Sequence, residues 1–346
     1  MAVKNVLKKF IDVPGISGSE ENIRDLIKKE LKKDVDKIYE DKVGNIIFHK
    51  GEGDFKVLLT AHMDEVGLVI SFIDDKGFIK FDTVGGIDPR ILPSRQIKIH
   101  TSKGIVNGVI GAKAIHIQDK DEEKHVYKNK ELFIDIGAKD KKSVEKLGIK
   151  VGDFIEMPED SMELVDNRIT GRCLDNRVGC TILTETMKRL KPKGVVVYGA
   201  GTIQEEIGLK GAEGPMFDID PDVIISIDVE LSGDSPYLKE DNIASSLGKG
   251  PIIGIRDSSY VIHKKIKEMF VETAEKNKIP YQLGVTSGGT TETTLAVLTR
   301  EGKPGGLLGV PVRYMHTTVE VADLTDIENA IELLVKSLEN IKKYFK

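Results

Sequence analysis

The stretch Val195-Val-Val-Tyr-Gly-Ala-Gly-Thr-Ile-Gln-Glu-Glu-Ile-Gly-Leu-Lys-Gly-Ala212 places two adjacent carboxylates shortly after an apolar run. The run Val195–Tyr198 predicts a buried strand that ends at two nearby glycines. Neighbouring side chains on an extended backbone point in different directions, so Glu205 and Glu206 can face different partners. One can hold a metal while the other faces a water molecule or a substrate. An isolated Glu-Glu pair is more often a solvated turn, and the meaning of this pair therefore depends on the rest of the chain.

Strands and helices alternate around this run and predict an α/β domain. We predict further apolar strands at Val57–Thr60, Val223–Ile227 and Gly306–Arg313. The pattern Ser17-Gly-Ser-Glu20 is typical of a capping box and predicts that a helix begins after it. Other helices are predicted at 4–12, Arg177–Leu190, Ser259–Lys278, Thr290–Arg300 and Leu324–Tyr344. This alternation indicates a doubly wound, mostly parallel sheet with both faces covered.

From about Leu68 to about Glu163 the pattern changes to short β-branched runs between turn residues. The runs are Leu68–Ile73, Phe78–Phe81, Gln96–His100, Gly104–Ile110, Phe133–Ile136 and Phe154–Met157. Such spacing favours a small all-β barrel or sandwich. We therefore expect a discontinuous catalytic domain, residues 1–67 and 164–346, interrupted by a β-rich inserted domain, residues 68–163.

The composition is that of an ordinary globular protein and argues against several classes of partner. The 346 residues are 40% hydrophobic and 31% charged, with a formal net charge of -5 and both signs mixed along the chain. This balance gives no reason to expect binding to nucleic acid or to an acidic membrane surface. No apolar run approaches the roughly 20 residues of a membrane-spanning helix.

Residue usage also bears on compartment and stability. Charges interrupt the apolar pattern of the first ten residues, so we do not expect a signal peptide. Two cysteines, Cys173 and Cys180, make no disulfide framework, and we expect a cytoplasmic protein. Lysine and glutamate are abundant and there are only four glutamines, a bias found in thermophile proteins.

Metal-capable side chains follow several of the predicted strands. His62 and Asp64 come after Val57–Thr60, and Asp228 ends the run that begins at Val223. His316 follows the last predicted strand, and Asp175 precedes a predicted helix. Each has an ordinary explanation as a turn former, a helix cap or a core histidine. Ligands of α/β proteins bind at the carboxyl ends of the strands, and the joint pattern therefore indicates a site there.

These residue types suit a pair of divalent cations. Two histidines with three or four carboxylates are typical ligands of Zn²⁺, Co²⁺ or Mn²⁺. Two such ions lie about 3.5–4 Å apart and act together on the attacking and leaving groups. The attacking water still needs a base, and Glu205, next to the candidate ligand Glu206, is the candidate. Asp64 lies two residues after His62 and can orient its imidazole ring.

Taken together, the motifs resemble those of the tetrahedral (TET) dinuclear-metal aminopeptidases, which include glutamyl and deblocking aminopeptidases. They are His62-Met-Asp-Glu-Val-Gly67, Leu174-Asp-Asn-Arg177, Gln204-Glu-Glu-Ile-Gly-Leu-Lys-Gly-Ala212, Ser226-Ile-Asp228 and Arg313-Tyr-Met-His316. The resemblance covers essentially the whole chain and implies a zinc-peptidase-like fold with peptides as substrates. At Ser287-Gly-Gly-Thr-Thr-Glu292 the sequence departs from the family pattern, in which an Asp commonly follows the Thr.

The resemblance also implies a role for each site residue. His62, Asp175 and Asp228 would hold one metal ion, while Asp175, Glu206 and His316 would hold the other, with Asp175 bridging. Glu205 would be the general base, and Asp64 would orient His62. The metals would be Zn²⁺ or Co²⁺. The inserted domain would form dimers, and six dimers would assemble into a hollow dodecamer.

Three other readings remain open at this point. The same cluster would serve another metal-dependent amide hydrolase, such as a carboxypeptidase or an N-acyl amino-acid deacylase. A glycosidase (endoglucanase) would use Glu205 and Asp64 as its acid and base. The chain has no tryptophan and only 5% aromatic residues, which is a poor stacking surface for sugars. A scaffold protein that kept the fold would hold no metal.

Overall fold

The computed structural model describes residues 2–120, 124–237 and 245–345. Its strands are β1 (Lys37–Glu40), β2 (Ile46–Lys50), β3 (Phe55–His62), β4 (Gly67–Ile73), β5 (Ile79–Val84), β6 (Gln96–Thr101), β7 (Gly104–Ile110), β8 (Ile134–Asp135), β9 (Phe154–Glu156), β10 (Met162–Leu164), β11 (Arg168–Gly171), β12 (Val195–Thr202), β13 (Val223–Leu231), β14 (Ile252–Arg256), β15 (Gln282–Val285), β16 (Gly305–Val312) and β17 (Glu320–Asp323). Its α-helices are α1 (Ala2–Ile11), α2 (Glu21–Leu31), α3 (Lys141–Lys146), α4 (Leu174–Arg189), α5 (Glu213–Ile219), α6 (Lys264–Asn277) and α7 (Leu324–Glu339).

The main sheet has eight strands in the order β1-β2-β12-β3-β13-β16-β14-β15. The pairs β12–β3, β3–β13, β13–β16 and β14–β15 are parallel, and the other three neighbouring pairs are antiparallel. The prediction of an α/β fold with a mostly parallel sheet is therefore confirmed. The four central strands, β12, β3, β13 and β16, all run the same way. Their carboxyl ends consequently meet at one edge, where the predicted site residues lie.

Helices cover both faces of this sheet because its strands are apolar on both sides. The larger core lies under α1, α2, α4, α6 and α7. The smaller core lies under α5 and a 3-10 helix, Glu292–Val297. Helix α4 is buried along nearly its whole length and packs between β13, α1 and α7. No helix among the described residues is long and apolar enough to cross a membrane.

The segment between β3 and β10 contains a closed barrel with the strand order β4-β5-β8-β7-β6-β9. Each of the six predicted β-branched runs of this segment overlaps one of these strands. The barrel has its own apolar interior, in which Leu68, Ile97 and Ile155 are fully or almost fully buried. One short helix, α3, belongs to the same segment, so the segment is not built of strands alone.

Several local predictions were wrong. The capping box at Ser17–Glu20 does not form, since α2 begins after Glu20 without a side-chain cap. The Ser17 hydroxyl instead donates to Asp64 Oδ2 at 2.6 Å. The predicted helix Thr290–Arg300 is a 3-10 helix and is shorter. The strands β10, β11, β14, β15 and β17 were missed, since they are short and become strands through pairing with other segments.

Candidate metal centre

The five predicted metal ligands converge at the carboxyl edge of the central strands. His62 is the last residue of β3, and Asp228 lies in β13. Glu206 follows β12, His316 follows β16, and Asp175 lies in the first turn of α4. Donor atoms of His62, Asp175 and Glu206 lie within 4.8 Å of one another. The predicted residues therefore share one site although they come from five separate segments.

Asp175 lies between the two histidines and presents one oxygen to each. His62 Nε2 is 3.1 Å from Asp175 Oδ1 and 3.6 Å from Asp228 Oδ1. His316 Nε2 is 3.4 Å from Asp175 Oδ2 and 3.4 Å from Glu206 Oε2. The cluster thus has two halves, one around each imidazole, that share a single carboxylate.

Asp64 connects the first half of the site to the Glu-Glu pair. The carbonyl oxygen of Asp64 is 3.1 Å from His62 Nδ1, and its Oδ1 is 3.5 Å from the same nitrogen. A proton on Nδ1 leaves the Nε2 lone pair directed at the cluster. The Asp64 carboxylate also accepts the backbone N–H groups of Glu205 at 2.9 Å and Glu206 at 3.1 Å. Asp64 is fully buried, so it cannot reach a sugar, which argues against the glycosidase reading.

His316 is held in the same way by a residue of the barrel segment. Its Nδ1 is 2.7 Å from the carbonyl oxygen of Gly86, which follows β5. An N–H donated from Nδ1 leaves Nε2 free to face Asp175 and Glu206. The segment that interrupts the α/β chain therefore helps to orient a residue of the centre.

Glu320 is a functional position that the sequence analysis missed. Its Oε1 accepts the backbone N–H of His316 at 2.7 Å, and its Oε2 accepts that of Asp175 at 2.9 Å. The side chain is 1% exposed and lies on β17. An acidic residue inside the short apolar stretch Val319–Ala322 was the signal in the sequence. One buried carboxylate thus ties together the backbones of two candidate ligands.

Burial and crowding of like charges shift the pKa values throughout the cluster. Burial raises the pKa of Glu205 to about 9 and that of Glu206 to about 8, with neighbouring carboxylates adding to the effect. The hydrogen bond to Asp175 raises the pKa of His316 to about 10. Burial opposes protonation of His62, but Asp175, Asp228 and Asp64 raise its pKa well above the ordinary value. Burial also raises the pKa of Asp228.

The donor set fits divalent cations. Glu206 Oε1 is buried and accepts no hydrogen bond from the described residues, which is costly for a carboxylate oxygen unless a cation meets it. Imidazole nitrogens with carboxylate oxygens are the ligands that Zn²⁺ and Co²⁺ accept. Both cysteines are buried, and burial raises the pKa of the Cys180 thiol to about 11. Nitrogen and oxygen are therefore the donors available to an ion.

A cavity of about 450 Å³ opens in front of the cluster. His62, Asp175, Glu206, Asp228 and His316 all line it, and so does the candidate base Glu205. The cavity continues past β13 to the residues around Asp257 and Thr286–Thr291. A substrate can therefore meet the candidate ligands and Glu205 at the same time.

Comparison with known proteins assigns this chain to a family. The family model of the M42 glutamyl aminopeptidases matches residues 44–333. The lysyl aminopeptidase of Pyrococcus furiosus is 33% identical over 345 residues, which cover 97% of this chain and 97% of the relative.

Two solved structures superpose on nearly the whole chain. An aminopeptidase from the archaeon Desulfurococcus kamchatkensis matches with a TM-score of 0.94 and 38% identity, covering 100% of this chain and 98% of that one. The TET1 peptidase of Pyrococcus horikoshii, described as able to assemble into a tetrahedron or a large octahedral shell, matches with a TM-score of 0.88 and 37% identity. That match covers 96% of this chain and 98% of the other.

Proposed function

This chain belongs to the M42 glutamyl aminopeptidase family, and on that premise we propose how its own residues divide the work of a two-metal site. The chain is an aminopeptidase, a hydrolase that releases N-terminal residues from peptides, and its family is metal-dependent. His62, Asp175 and Asp228 would hold one cation, and Asp175, Glu206 and His316 would hold the other. This division is supported by the position of Asp175, whose two carboxylate oxygens face the two different imidazoles.

When bound, the two divalent cations, zinc or cobalt, supply Lewis acidity to the scissile carbonyl and to the attacking water. Glu205 takes a proton from that water, and the oxygen of the water attacks the carbonyl carbon. As the carbon–nitrogen bond breaks, Glu205 returns the proton to the leaving amine. In the metal-free cluster burial raises the pKa of Glu205 to about 9, and the positive charge of bound cations would lower that pKa towards the working pH of a general base.

Asp64 and Glu320 hold the ligands and do not take part in the chemistry. Asp64 accepts the backbone N–H groups of Glu205 and Glu206 and orients His62. Glu320 accepts the backbone N–H groups of Asp175 and His316. Since a misplacement of about 1 Å can cost a factor of roughly 100 in rate, this support contributes to turnover without contact with the substrate.

The residues that line the cavity suit the free amino end of a peptide better than its carboxyl end. The cavity is lined by acidic side chains and, among the described residues, by no lysine or arginine that could pair with a C-terminal carboxylate, whereas an N-terminal ammonium finds acceptors there. An N-blocked peptide lacks that charge. Unblocked and N-acetylated forms of one peptide, assayed side by side, separate an aminopeptidase from an N-acyl amino-acid deacylase.

The proposed base is tested with Glu205→Gln, which keeps the size of the side chain and removes its ability to take a proton. We expect the metal content of the purified variant to equal that of the wild type, while kcat falls about 100- to 10,000-fold. The matched control is Glu213→Gln, an exposed position on α5, which keeps wild-type turnover. Near-wild-type turnover of Glu205→Gln would show that another group is the base.

We also infer that residues 68–163 form an inserted dimerisation domain and that the chain assembles through it into a dodecamer. Two observations support this. The barrel exposes large apolar side chains, among them Phe72, Ile105 and Val109, which are 45–58% exposed. The related TET1 peptidase of Pyrococcus horikoshii is described as assembling into a tetrahedron or a larger shell.

A further inference from the structure

Beyond the metal centre, the cavity reaches a second pair of carboxylates, Glu230 and Asp257. Glu230 lies on β13 two residues after Asp228. Residues two apart on a strand point to the same face and lie roughly 7 Å apart. Asp257 follows β14, which is two strands away from β13 in the sheet, or roughly 10 Å. Glu230 and Asp257 therefore lie away from the metal centre, where the peptide bond is cut.

Asp257 has one oxygen that is satisfied and one that is not. Its Oδ1 accepts the backbone N–H groups of Ser259 at 2.6 Å and Tyr260 at 2.8 Å, together with the Ser259 hydroxyl at 3.0 Å. Its Oδ2 is buried and accepts no hydrogen bond from the described residues. The residue is 6% exposed. A buried carboxylate oxygen without a donor is costly, so this oxygen points to a donor that the ligand brings.

Two glycines leave room for the Glu230 side chain. A Cβ atom on Gly309 would lie 2.6 Å from Glu230 Cγ, so the stem of Glu230 occupies the space that a larger residue would fill. A Cβ atom on Gly284 would lie 3.9 Å from each Glu230 carboxylate oxygen. Glu230 has no hydrogen-bond donor among the described residues. It presents a second acceptor without a partner on the same side of the cavity.

The rest of this part of the cavity is apolar or neutral. Val229, Leu231, Leu209 and Met315 line it, and so does the Thr286–Thr291 segment. No lysine or arginine of the described parts of the chain lines the cavity. An apolar passage that ends at two carboxyl groups, each with an oxygen that lacks a donor among the described residues, fits a side chain with an apolar stem and a cationic head.

We propose that Glu230 and Asp257 form the subsite for the side chain of the N-terminal residue and select lysine or arginine there. This inference rests on the proposed two-metal aminopeptidase function. The α-amino group of the substrate must stay beside the scissile bond, near Asp228 and Glu205. Asp257 is too far along the sheet for that role. The four-carbon stem of lysine can carry its ammonium group from a backbone held near Asp228 and Glu205 towards Glu230 and Asp257.

The test compares amide substrates that carry N-terminal lysine, norleucine or glutamate on one chromogenic leaving group. Lysine and norleucine have similar stems, and only lysine carries the ammonium group. On metal-reconstituted wild-type enzyme we expect kcat/KM for lysine to exceed that for norleucine by about ten-fold or more, with glutamate the poorest. In Asp257→Asn the lysine-to-norleucine ratio falls about ten-fold or more, since the charge is lost while the Oδ1 acceptor for Ser259 and Tyr260 is kept. Glu230→Gln lowers the same ratio.

The matched control is Glu268→Gln, which removes one negative charge from the exposed face of α6 and leaves the ratio unchanged. Equal losses for lysine and norleucine in Asp257→Asn overturn the proposal, and so does a wild-type preference for norleucine or glutamate. Should Asp257→Asn fail to fold, competitive inhibition of the wild type by free lysine and by norleucine gives an independent answer, with lysine expected to bind at least about ten-fold more tightly. Absence of hydrolysis of all three substrates would instead count against the two-metal function itself.

Discussion

Single residues outside the proposed ligand set hold the candidate centre together. Glu320 supports two candidate ligands at once, since its buried carboxylate accepts the backbone N–H groups of both Asp175 and His316. In Glu320→Gln one of those N–H groups meets an amide NH₂ group and loses its acceptor. We expect metal affinity to fall about 10- to 100-fold, measured by competition with a chromogenic chelator.

The control for this change is Glu332→Gln, an exposed position on α7 that keeps wild-type affinity. Unchanged metal affinity in Glu320→Gln would show that Asp175 and His316 keep their positions without it. Because Glu320 makes no contact with the substrate, the change acts through the bound metal. Saturating metal should therefore restore most of the turnover.

Protonation of the ligands in the metal-free protein gives metal binding a definite pH dependence. His62 and His316 have raised pKa values, and Glu206 has a pKa of about 8, so each holds a proton at pH 7. A ligand must lose its proton before it binds a cation. Metal binding therefore releases protons, and apparent affinity rises as the pH increases from about 6 to about 8.

This proton release is measured by titration calorimetry of the chelator-treated protein in two buffers of different ionisation enthalpy. We expect the observed heat to differ between the buffers by an amount that corresponds to at least two protons per site. Equal heats in both buffers would mean that the ligands are already deprotonated. The predicted rise of metal affinity between about pH 6 and about pH 8 would then be wrong.

At the scale of elements, the start of α4 joins the N-terminal helix to the loop after β3. Arg177 is fully buried there and donates to the carbonyl oxygens of Phe10 at 2.9 Å, of Val13 at 3.1 Å and of Met63. It also donates to Glu65 Oε1 at 3.2 Å. The loop that follows His62 and the helix that begins beside Asp175 are thereby held in one arrangement.

Arg177→Met removes all of these donors and leaves Glu65 with one partner fewer. We expect the free energy of unfolding of the metal-free protein to fall by about 3–5 kcal/mol, measured by urea denaturation. Arg189→Met is the matched control on the same helix, since Arg189 pairs with Glu328 at the surface and is worth about 1 kcal/mol or less. A similar small loss at both positions would contradict the central role of Arg177.

At the scale of the whole molecule, the barrel is both part of the site and a candidate surface for assembly. Gly86 of this segment orients His316, so the α/β part and the barrel cannot be treated as independent. Ile105 and Val109 lie on the same side of β7 and are 58% and 45% exposed. Paired aspartate substitutions at these two positions put charge on an apolar surface that association would bury.

We expect the native mass of the wild type to be that of a dodecamer and the mass of the Ile105→Asp, Val109→Asp double variant to be at least two-fold lower, measured by light scattering. The control is Val43→Asp, which is 64% exposed and lies outside the barrel. A monomeric wild type would remove the proposal of assembly. An unchanged mass of the double variant would place the contact on another face.

The sequence by itself determined the fold class, the longer strands and helices, and the candidate site residues that follow several of them. Alternation and helical spacing predicted the α/β sheet and the six runs that make the barrel, because these patterns depend on neighbouring residues alone. The convergence of His62, Asp175, Glu206, Asp228 and His316 was predicted because parallel strands carry their carboxyl ends to one edge. The family followed from the same residues.

Only the tertiary structure decided which distant groups support and surround that site. Ser17 was expected to cap a helix and instead donates to Asp64, 47 residues away. Gly86 and Glu320 hold the second half of the centre, and Asp257 joins the cavity from beyond β14. In each of these contacts one polar atom meets a partner that comes close only because two distant segments of the chain pack together. Local propensity does not specify such a pairing. The sequence therefore predicted the candidate ligands and Asp64, which lies two residues from His62, but not the supports from Ser17, Gly86 and Glu320.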